Sequence, residues 1–108
     1  MNLHGTATPS NDAAESRALT SLFERVPCSS TKGWTGHTLG AAGITEALIT
    51  AYALEEQWIP RTLNCEAVDP RLRMRVATRS CDAPIRHAIS NSFGFGGNNC
   101  SLVLSRAP

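Results

Sequence analysis

The chain has 108 residues, with 10 basic and 9 acidic side chains and a formal net charge of +1. This length corresponds to one ordinary domain. The balanced charge excludes a dedicated nucleic-acid binder, which would carry a strong basic excess. The sequence contains no apolar run of the ~20 residues that a membrane helix requires, and the grouping of its apolar positions argues against disorder. Because the start of the chain also lacks the pattern of a signal peptide, we expect a soluble, compact, cytoplasmic protein.

Two features of the charged residues narrow this expectation. Only 18% of the residues are charged, against about 25% in a typical globular domain. This low fraction predicts that part of the surface is covered by other protein. The basic set consists of nine arginines and a single lysine, Lys32. Either this bias is chance, or lysine is kept where a compact ammonium is needed instead of a planar guanidinium.

The chain contains four cysteines, and no two of them form a Cys-x-x-Cys pair. None of them lies beside a histidine at the spacing of zinc ligands. We therefore expect reduced, buried thiols and no metal site. The cysteines are Cys28, Cys65, Cys81 and Cys100.

Three elements are predicted in the first third of the chain. Asp12 followed by Glu15 is typical of a capping box, and the apolar residues beyond it recur on one helical face. This pattern predicts an amphipathic surface helix over 12–24. Residues 26–30 are a short strand candidate, and residues 31–36 are a predicted loop.

A second helix is predicted over 38–55, where apolar residues cover nearly every face. A helix that is apolar all round is buried. Glu46 is the one charge inside this run, and a buried carboxylate is costly unless it is paired. Lys32, on the adjoining loop, is the predicted partner, and the alternative is that Glu46 reaches water through a gap.

The remaining residues predict an irregular connection followed by a hairpin. Residues 59–83 show little periodicity and contain a basic stretch, which is either a solvated loop or a docking site for an acidic partner. Residues 85–93 and 100–104 are strand candidates on either side of the glycine loop 94–98. The fold class is therefore mixed α/β. The basic stretch comprises Arg71, Arg73, Arg75 and Arg79.

Three turns that follow strand candidates are potential sites of chemistry, because active sites of α/β proteins gather at strand ends. His4 lies in the first of these turns, and the second runs from Lys32 to His37. His37 precedes the buried helix, whose positive dipole end favours a neutral imidazole. A neutral ring could polarise a carbonyl, whereas a capping or turn histidine is the alternative for both residues. His87, inside a strand candidate, is predicted to be structural or exposed.

The third turn, Gly94-Phe95-Gly96-Gly97, is not a dinucleotide-binding loop. The third glycine of that motif would fall at Asn99, and the loop joins two strands instead of a strand and a helix. Glycines around one phenylalanine favour a turn that brings a backbone N–H close to a ligand, with Phe95 as a movable wall. A purely structural glycine hairpin is the alternative.

Together these turns resemble three motifs, in the same order, of the C-terminal half of the β-ketoacyl-acyl-carrier-protein synthases. Together with the residues around them, these motifs cover nearly all of the chain. The sequence around Asn2-Leu3-His4 and Gly97-Asn98-Asn99 is similar to that of ketosynthases from bacterial aryl-polyene pathways. The motifs are His4 to Pro9 with Asp12 and Glu15, Ser29 to Lys32 with Thr35 to His37 and Gly40 to Gly43, and Asn91 to Gly97.

The resemblance implies a thiolase-like fold in which 38–55 is a central helix. It also implies decarboxylative condensation: an acyl group moves to a cysteine, and the carbanion formed when malonyl-carrier protein loses CO2 attacks that thioester. His4 and His37 would hold the malonyl thioester carbonyl, and Lys32 would order them through Glu46. The residues implied in acyl gating, the oxyanion hole and substrate binding are Phe95, Gly94, Gly96, Thr6, Thr8 and Phe93.

The main departure from the family is that its nucleophilic cysteine lies in an N-terminal half that this sequence does not include. None of the four cysteines opens a helix that would lower its pKa. We therefore expect the chain to be inactive alone and to need that half, an acyl carrier protein and a homodimeric or heterodimeric partner. The resemblance implies no cofactor.

Two other functions compete with the condensing enzyme. The first is a non-catalytic partner subunit of the chain-length-factor type, which need not keep His4, Lys32 and His37. The second is a degradative thiolase, which carries a second reactive cysteine near the glycine loop, where this chain has Phe95.

Overall fold

The computed structural model describes residues 1–108. Helices and strands occur along the whole chain. The mixed α/β class is confirmed. No helix has the length and apolar character needed to cross a membrane. The helices are Pro9–Leu22 (α1), Lys32–Thr35 (α2) and Ala42–Glu56 (α3), with 3-10 turns at Leu39–Ala41 and Phe95–Gly97. The strands are Trp58–Ile59 (β1), Cys81–Asp82 (β2), His87–Phe93 (β3) and Asn99–Ser105 (β4).

The predicted hairpin is confirmed. β3 and β4 pair antiparallel from His87 opposite Ser105 to Phe93 opposite Asn99. Gly96 lies at φ 79° inside the connecting turn, a left-handed conformation that glycine adopts without the steric cost of a side chain. β3 begins two residues later than predicted, and β4 extends one residue beyond the prediction at each end.

Single-residue parallel bridges continue this sheet beyond β3. Asn2 pairs with Ser90 on one side and with Ser29 on the other, and Cys28 pairs with Val76. The strand predicted over 26–30 is thus reduced to bridges at Cys28 and Ser29. Pro27 has no N–H to donate to a ladder, which accounts for the late start of this pairing.

The two long helices cover opposite faces of the sheet. Leu3 packs with Leu19 of α1 and with Cys28 in a buried cluster. The neighbouring Asn2 instead donates its side-chain amide to the Glu46 carbonyl of α3, at 3.4 Å. Because successive strand side chains point to opposite faces, α1 and α3 lie on opposite sides of the strand that carries these two residues.

The capping box predicted for α1 is wrong. The helix begins at Pro9, with Thr8 as its N-cap residue, because proline at the first helical position has a suitable φ and no N–H to leave unpaired. Asp12 therefore lies inside the first turn. Glu15 caps nothing on this helix; its carboxylate accepts hydrogen bonds from the backbone of the preceding segment.

The prediction that the second helix is buried on every side is also wrong within this chain. α3 begins at Ala42 after a 3-10 turn and buries only one face against β3 and β4. Ile44, Leu48 and Tyr52 remain 60–64% exposed. Their spacing of four residues aligns them as an apolar stripe on the outer face of the helix.

One helical turn, α2, interrupts the segment predicted as a loop over 31–36. Gly33 in this turn lies against the connection that follows β1, where a Cβ atom would come within 2.5 Å of the Leu63 carbonyl oxygen. The Asn64 side chain donates to the Gly33 carbonyl at 3.2 Å. The irregular connection predicted over 59–83 therefore supports α2 directly, and its only strands are the two-residue pair of β1 and β2.

The cysteines and the basic stretch were only partly anticipated. All four thiols are free, as predicted, but the predicted burial holds only for Cys28, since Cys65 is half-buried and Cys81 and Cys100 are exposed. Burial raises the pKa of the Cys28 thiol to about 11. Arg71 forms a surface ion pair with Asp69, and all four arginines of the basic stretch are exposed, as both a solvated loop and a docking site would require.

We expect Gly33→Ala to destabilise the chain and Gly40→Ala to leave its stability within about 0.5 kcal/mol. The new methyl at position 33 must displace the backbone of Leu63, whereas a Cβ at position 40 meets no atom within 4 Å. Overpacking of this kind typically costs about 1–3 kcal/mol. Urea denaturation at one protein concentration measures both values, and equal stabilities of the two variants would contradict this account of α2.

Candidate active site

Two histidine rings meet edge to face at one end of the sheet. His4 follows the strand residues Asn2 and Leu3, and His37 lies just before the 3-10 turn that leads into α3. Their ring centroids are 5.4 Å apart with an interplanar angle of 85°. Phe93, at the end of β3, lies 5.5 Å from His4 between ring centroids. The fold thus brings together three residues that are far apart in sequence.

Glu15 fixes the turn that carries His4. Its two carboxylate oxygens accept the backbone N–H groups of His4 and Gly5, each at 3.0 Å. The side-chain amide of Asn91 donates to the same carboxylate at 3.2 Å. Glu15 is only 1% exposed, so these charge-assisted hydrogen bonds form away from solvent.

A buried ion pair lies behind His4. Lys32 Nζ donates to Glu46 Oε1, and both side chains are almost fully buried. The pairing predicted from the sequence is confirmed, and the alternative that Glu46 reaches water is wrong. Lys32 Nζ also lies 3.4 Å from His4 Nδ1. The second carboxylate oxygen of Glu46 has no partner within the chain.

The environment of His4 sets its charge and its tautomer. Burial, and then the positive charges of Lys32 and His37, lower the pKa of His4 to about 4. Because an ammonium has no lone pair to accept with, Nδ1 of His4 must be the acceptor of the contact with Lys32. The proton of the neutral ring therefore lies on Nε2, which leaves one N–H donor for a ligand.

His37 has a similar arrangement, built from the backbone. The Leu39 N–H donates to His37 Nδ1 at 3.3 Å. Leu39 lies at φ 51°, a left-handed conformation that is uncommon outside glycine and that clusters at functional sites. When the His37 ring is neutral, its proton also lies on Nε2. Each histidine can thus present an Nε2–H donor.

The other residues predicted for the site are distributed around this cluster. Thr6 and Thr8 share a hydrogen bond of 3.0 Å between their hydroxyl oxygens, and Thr6 lines a 480 Å³ cavity together with Lys32 and His37. Phe95 is 99% exposed. The glycine loop makes no hydrogen bond or ring contact with the two histidines.

Sequence reasoning missed two residues that hold the His4 turn. The sequence pattern assigns Glu15 to a helix cap and gives Asn91 only as part of a motif. A signal for Glu15 was available, since it precedes the buried Leu19 by one helical turn and so shares its face. The argument that drew attention to Glu46, a carboxylate on an apolar face, applies equally to Glu15.

Comparison with known proteins identifies the family. Residues 1–66 match the model of the β-ketoacyl synthase C-terminal domain. The mitochondrial 3-oxoacyl-(acyl-carrier-protein) synthase of Arabidopsis thaliana is 43% identical to this chain over 97% of its length. The match covers only 24% of that relative.

Solved structures give the same result for the fold. A β-ketoacyl synthase from Burkholderia phymatum superposes with a TM-score of 0.93 at 40% identity, over 99% of this chain and 27% of that one. A ketosynthase in complex with its chain length factor from Xenorhabdus doucetiae superposes with a TM-score of 0.90 at 44% identity, over 98% of this chain and 28% of that one. The chain thus spans about a quarter of these proteins.

The motifs singled out in the sequence, the geometry of the histidine pair and these similarities agree with one another. The predicted thiolase-like α/β fold is confirmed by the superpositions. The chain belongs to the β-ketoacyl synthase C-terminal domain family.

Proposed function

We propose that this chain is the C-terminal portion of a condensing enzyme that joins a malonyl unit, carried on an acyl carrier protein, to an enzyme-bound acyl thioester. The observation that carries the proposal is the contact between a neutral His4, the facing His37 and the buried pair of Lys32 and Glu46. Fatty-acid or polyketide synthesis would use this reaction. The names of the relatives, which are 3-oxoacyl-(acyl-carrier-protein) synthases, support a condensing reaction on a carrier protein.

The two Nε2–H groups would act on the malonyl thioester carbonyl. As the bond to the carboxylate breaks, CO2 leaves, and its bonding electron pair becomes an enolate whose oxygen gains negative charge. Donors held in place for that oxygen stabilise the transition state more than the ground state. The enolate carbon then attacks the acyl thioester, and the cysteine thiolate of the N-terminal portion leaves.

Lys32 and Glu46 would keep this pair of donors in the required state. The ammonium occupies Nδ1 of His4 and disfavours the imidazolium, while Glu46 balances the buried positive charge. A protonated His4 could still donate, but it would exchange its proton with the enolate and quench it. The roles proposed for Lys32 and Glu46 are therefore positioning and electrostatic.

The remaining site residues have proposed roles in substrate binding. Thr6 and Thr8 lie on the turn that follows His4, where their hydroxyls could bind the carrier arm of the malonyl thioester. Phe93 packs on the His4 ring. The Phe95 backbone N–H would contribute to an oxyanion hole between Gly94 and Gly96, with the exposed ring gating the acyl pocket.

The catalytic role is favoured over that of a non-catalytic partner subunit. A chain length factor has no need of a neutral histidine supported by a buried lysine. In this chain those residues are present and also in contact. The burial of Lys32 has a cost that is easier to explain when the ammonium serves a reaction.

The apolar stripe of α3 supports a proposed partner for this chain. Ile44, Leu48 and Tyr52 are exposed on a helix that the family places at the centre of its fold. We propose that an N-terminal half carrying the nucleophilic cysteine covers this stripe, and that the complete enzyme is a homodimer or a heterodimer. The low fraction of charged residues agrees with a covered surface.

The proposed function can be tested in a chimera in which this chain replaces the matching quarter of the Burkholderia phymatum synthase. We expect the chain alone to form no β-ketoacyl product from acyl- and malonyl-carrier proteins, and the chimera to form it. His4→Ala and His37→Ala should each lower malonyl decarboxylation by about 10²–10³-fold, because each removes one donor to the enolate oxygen.

His87→Ala is the matched control in the chimera. His87 is an exposed histidine at the far end of β3, and its ring contacts the Ser105 hydroxyl. This variant should keep the activity of the parent chimera. The proposal is wrong if a folded, active chimera decarboxylates malonyl-carrier protein equally well with and without His4 and His37.

The charge state of His4 can be tested through stability. Below pH 6.5 the unfolded chain binds a proton at position 4, whereas the folded chain binds it only below about pH 4. The free energy of unfolding should therefore fall, relative to that of His4→Gln, as the pH drops from 6.5 to about 4, and the difference should be constant above 6.5. A flat difference across this range, measured by urea denaturation, would show that His4 is not held neutral.

The proposed cover of α3 can be tested with the chain alone. We expect it to self-associate through the apolar stripe, since no N-terminal half is present to cover it. Leu48→Glu should shift sedimentation toward the monomer, whereas Leu22→Glu should not. Both leucines are exposed, at 64% and 74%, but Leu22 lies on α1, across the sheet. A wild-type chain that stays monomeric at high concentration would contradict the proposal.

A further inference from the structure

The Ser30 side chain lies between the turn that carries His4 and the turn that carries Lys32. Its hydroxyl donates to the Gly5 carbonyl at 2.9 Å and accepts the Lys32 backbone N–H at 3.4 Å. Ser30 is only 8% exposed. One buried hydroxyl thus bonds to both turns.

The two turns are also in direct steric contact at this point. Gly5 lies at φ 44°, and a Cβ atom added to it would come within 2.6 Å of both the Cβ and the hydroxyl oxygen of Ser30. The Gly5 backbone can therefore approach the serine only because it has no side chain. This close approach leaves no room for a water molecule to replace the hydroxyl without moving one of the turns.

The Ser30 hydroxyl joins the two segments at the point where their backbone hydrogen bonds end. The two segments exchange backbone hydrogen bonds between Leu3 and Ser29, at 2.8 Å, and between Ser29 and Met1, at 3.0 Å. Beyond Leu3 the chain turns at Gly5, and no further backbone bond joins the segments. The next connection is the hydrogen bond from the Ser30 hydroxyl to the Gly5 carbonyl. The contact between Lys32 Nζ and His4 Nδ1 joins the same two turns.

We propose that Ser30 is a positioning residue, whose hydroxyl holds the His4 turn in register with the Lys32 turn so that Nδ1 of His4 accepts from the lysine ammonium. Its meaning for catalysis rests on the proposed function. The register itself can be measured without turnover, because the contact with Lys32 selects one tautomer of His4.

Ser29 provides a matched control. It is the neighbouring serine, is 3% exposed, and its hydroxyl makes no hydrogen bond within the chain. Ser29→Ala and Ser30→Ala each remove one buried hydroxyl from the same segment. Only Ser30→Ala removes a connection between the two turns.

The experiment is nitrogen NMR of the full chain with 15N-labelled histidine, titrated from pH 8 to about 3. Ring nitrogen shifts distinguish the two tautomers and the protonated form. We expect wild type and Ser29→Ala to show His4 as the single Nε2–H tautomer, protonating near pH 4. In Ser30→Ala we expect mixed tautomers and a titration midpoint shifted toward 6.5, with His87 as the reference. The titratable groups around the ring are Lys32 and His37, whose charges act on it, Glu46, which pairs with Lys32, and Glu15, which accepts the His4 backbone N–H.

Two results would overturn the proposal: His4 signals in Ser30→Ala that match those of wild type, or an equal change in Ser29→Ala. If circular dichroism shows that Ser30→Ala is unfolded, Ser30→Cys is measured in its place, since a thiol fills the site but is a weak hydrogen-bond partner. These results do not depend on the proposed function. An inactive chimera with a normal His4 tautomer would refute that function and leave the role of Ser30 intact.

Discussion

The buried ion pair of Lys32 and Glu46 is the interaction on which the rest of the site depends. Two charges removed from water are stable only while each has its partner, and loss of one partner of such a pair typically costs about 3–5 kcal/mol. The pair joins α2 to α3, two elements with a 3-10 turn and His37 between them. The same ammonium also contacts Nδ1 of His4, on the turn that follows Leu3. One lysine therefore links the segments that carry both histidines.

The buried carboxylates show what the sequence could and could not reveal. Glu46 was recognised because it interrupts a long apolar run, and the single lysine nearby supplied its partner. Glu15 lies on a shorter and more polar helix, and its spacing from Asp12 imitated a helix cap. One of its three partners is a side-chain amide 76 residues along the chain. The other two are backbone N–H groups, which any residue type provides and which therefore leave no trace in the sequence. The Leu39 N–H bonded to His37 was hidden for the same reason.

The fold, like the site, was predictable from the sequence only in part. The hairpin follows from two strand candidates on either side of a glycine loop, and the long helix follows from its apolar content; both are local patterns. The helical turn α2 depends on the approach of Gly33 to Leu63, thirty residues away in the chain, and no local pattern contains that contact. The exposed stripe of α3 could not be predicted from the sequence for a different reason. The apolar composition predicts a buried helix, but one face of α3 stays exposed in this chain, and composition does not tell which chain would supply a cover.

Alternation along the extended segment that carries Asn2, Leu3 and His4 has a consequence for how this sequence can vary. Asn2 is bonded to α3, while Leu3 packs toward α1, and His4 follows on the side of Asn2 before the chain turns at Gly5. A shift of this segment by one residue would reverse every side chain on it. The imidazole would then face α1, and the space against Ser30, which admits only glycine, would receive a side chain. A single inserted or deleted residue between the Ser29 pairing and His4 would thus abolish the site while leaving every one of its side chains in the sequence.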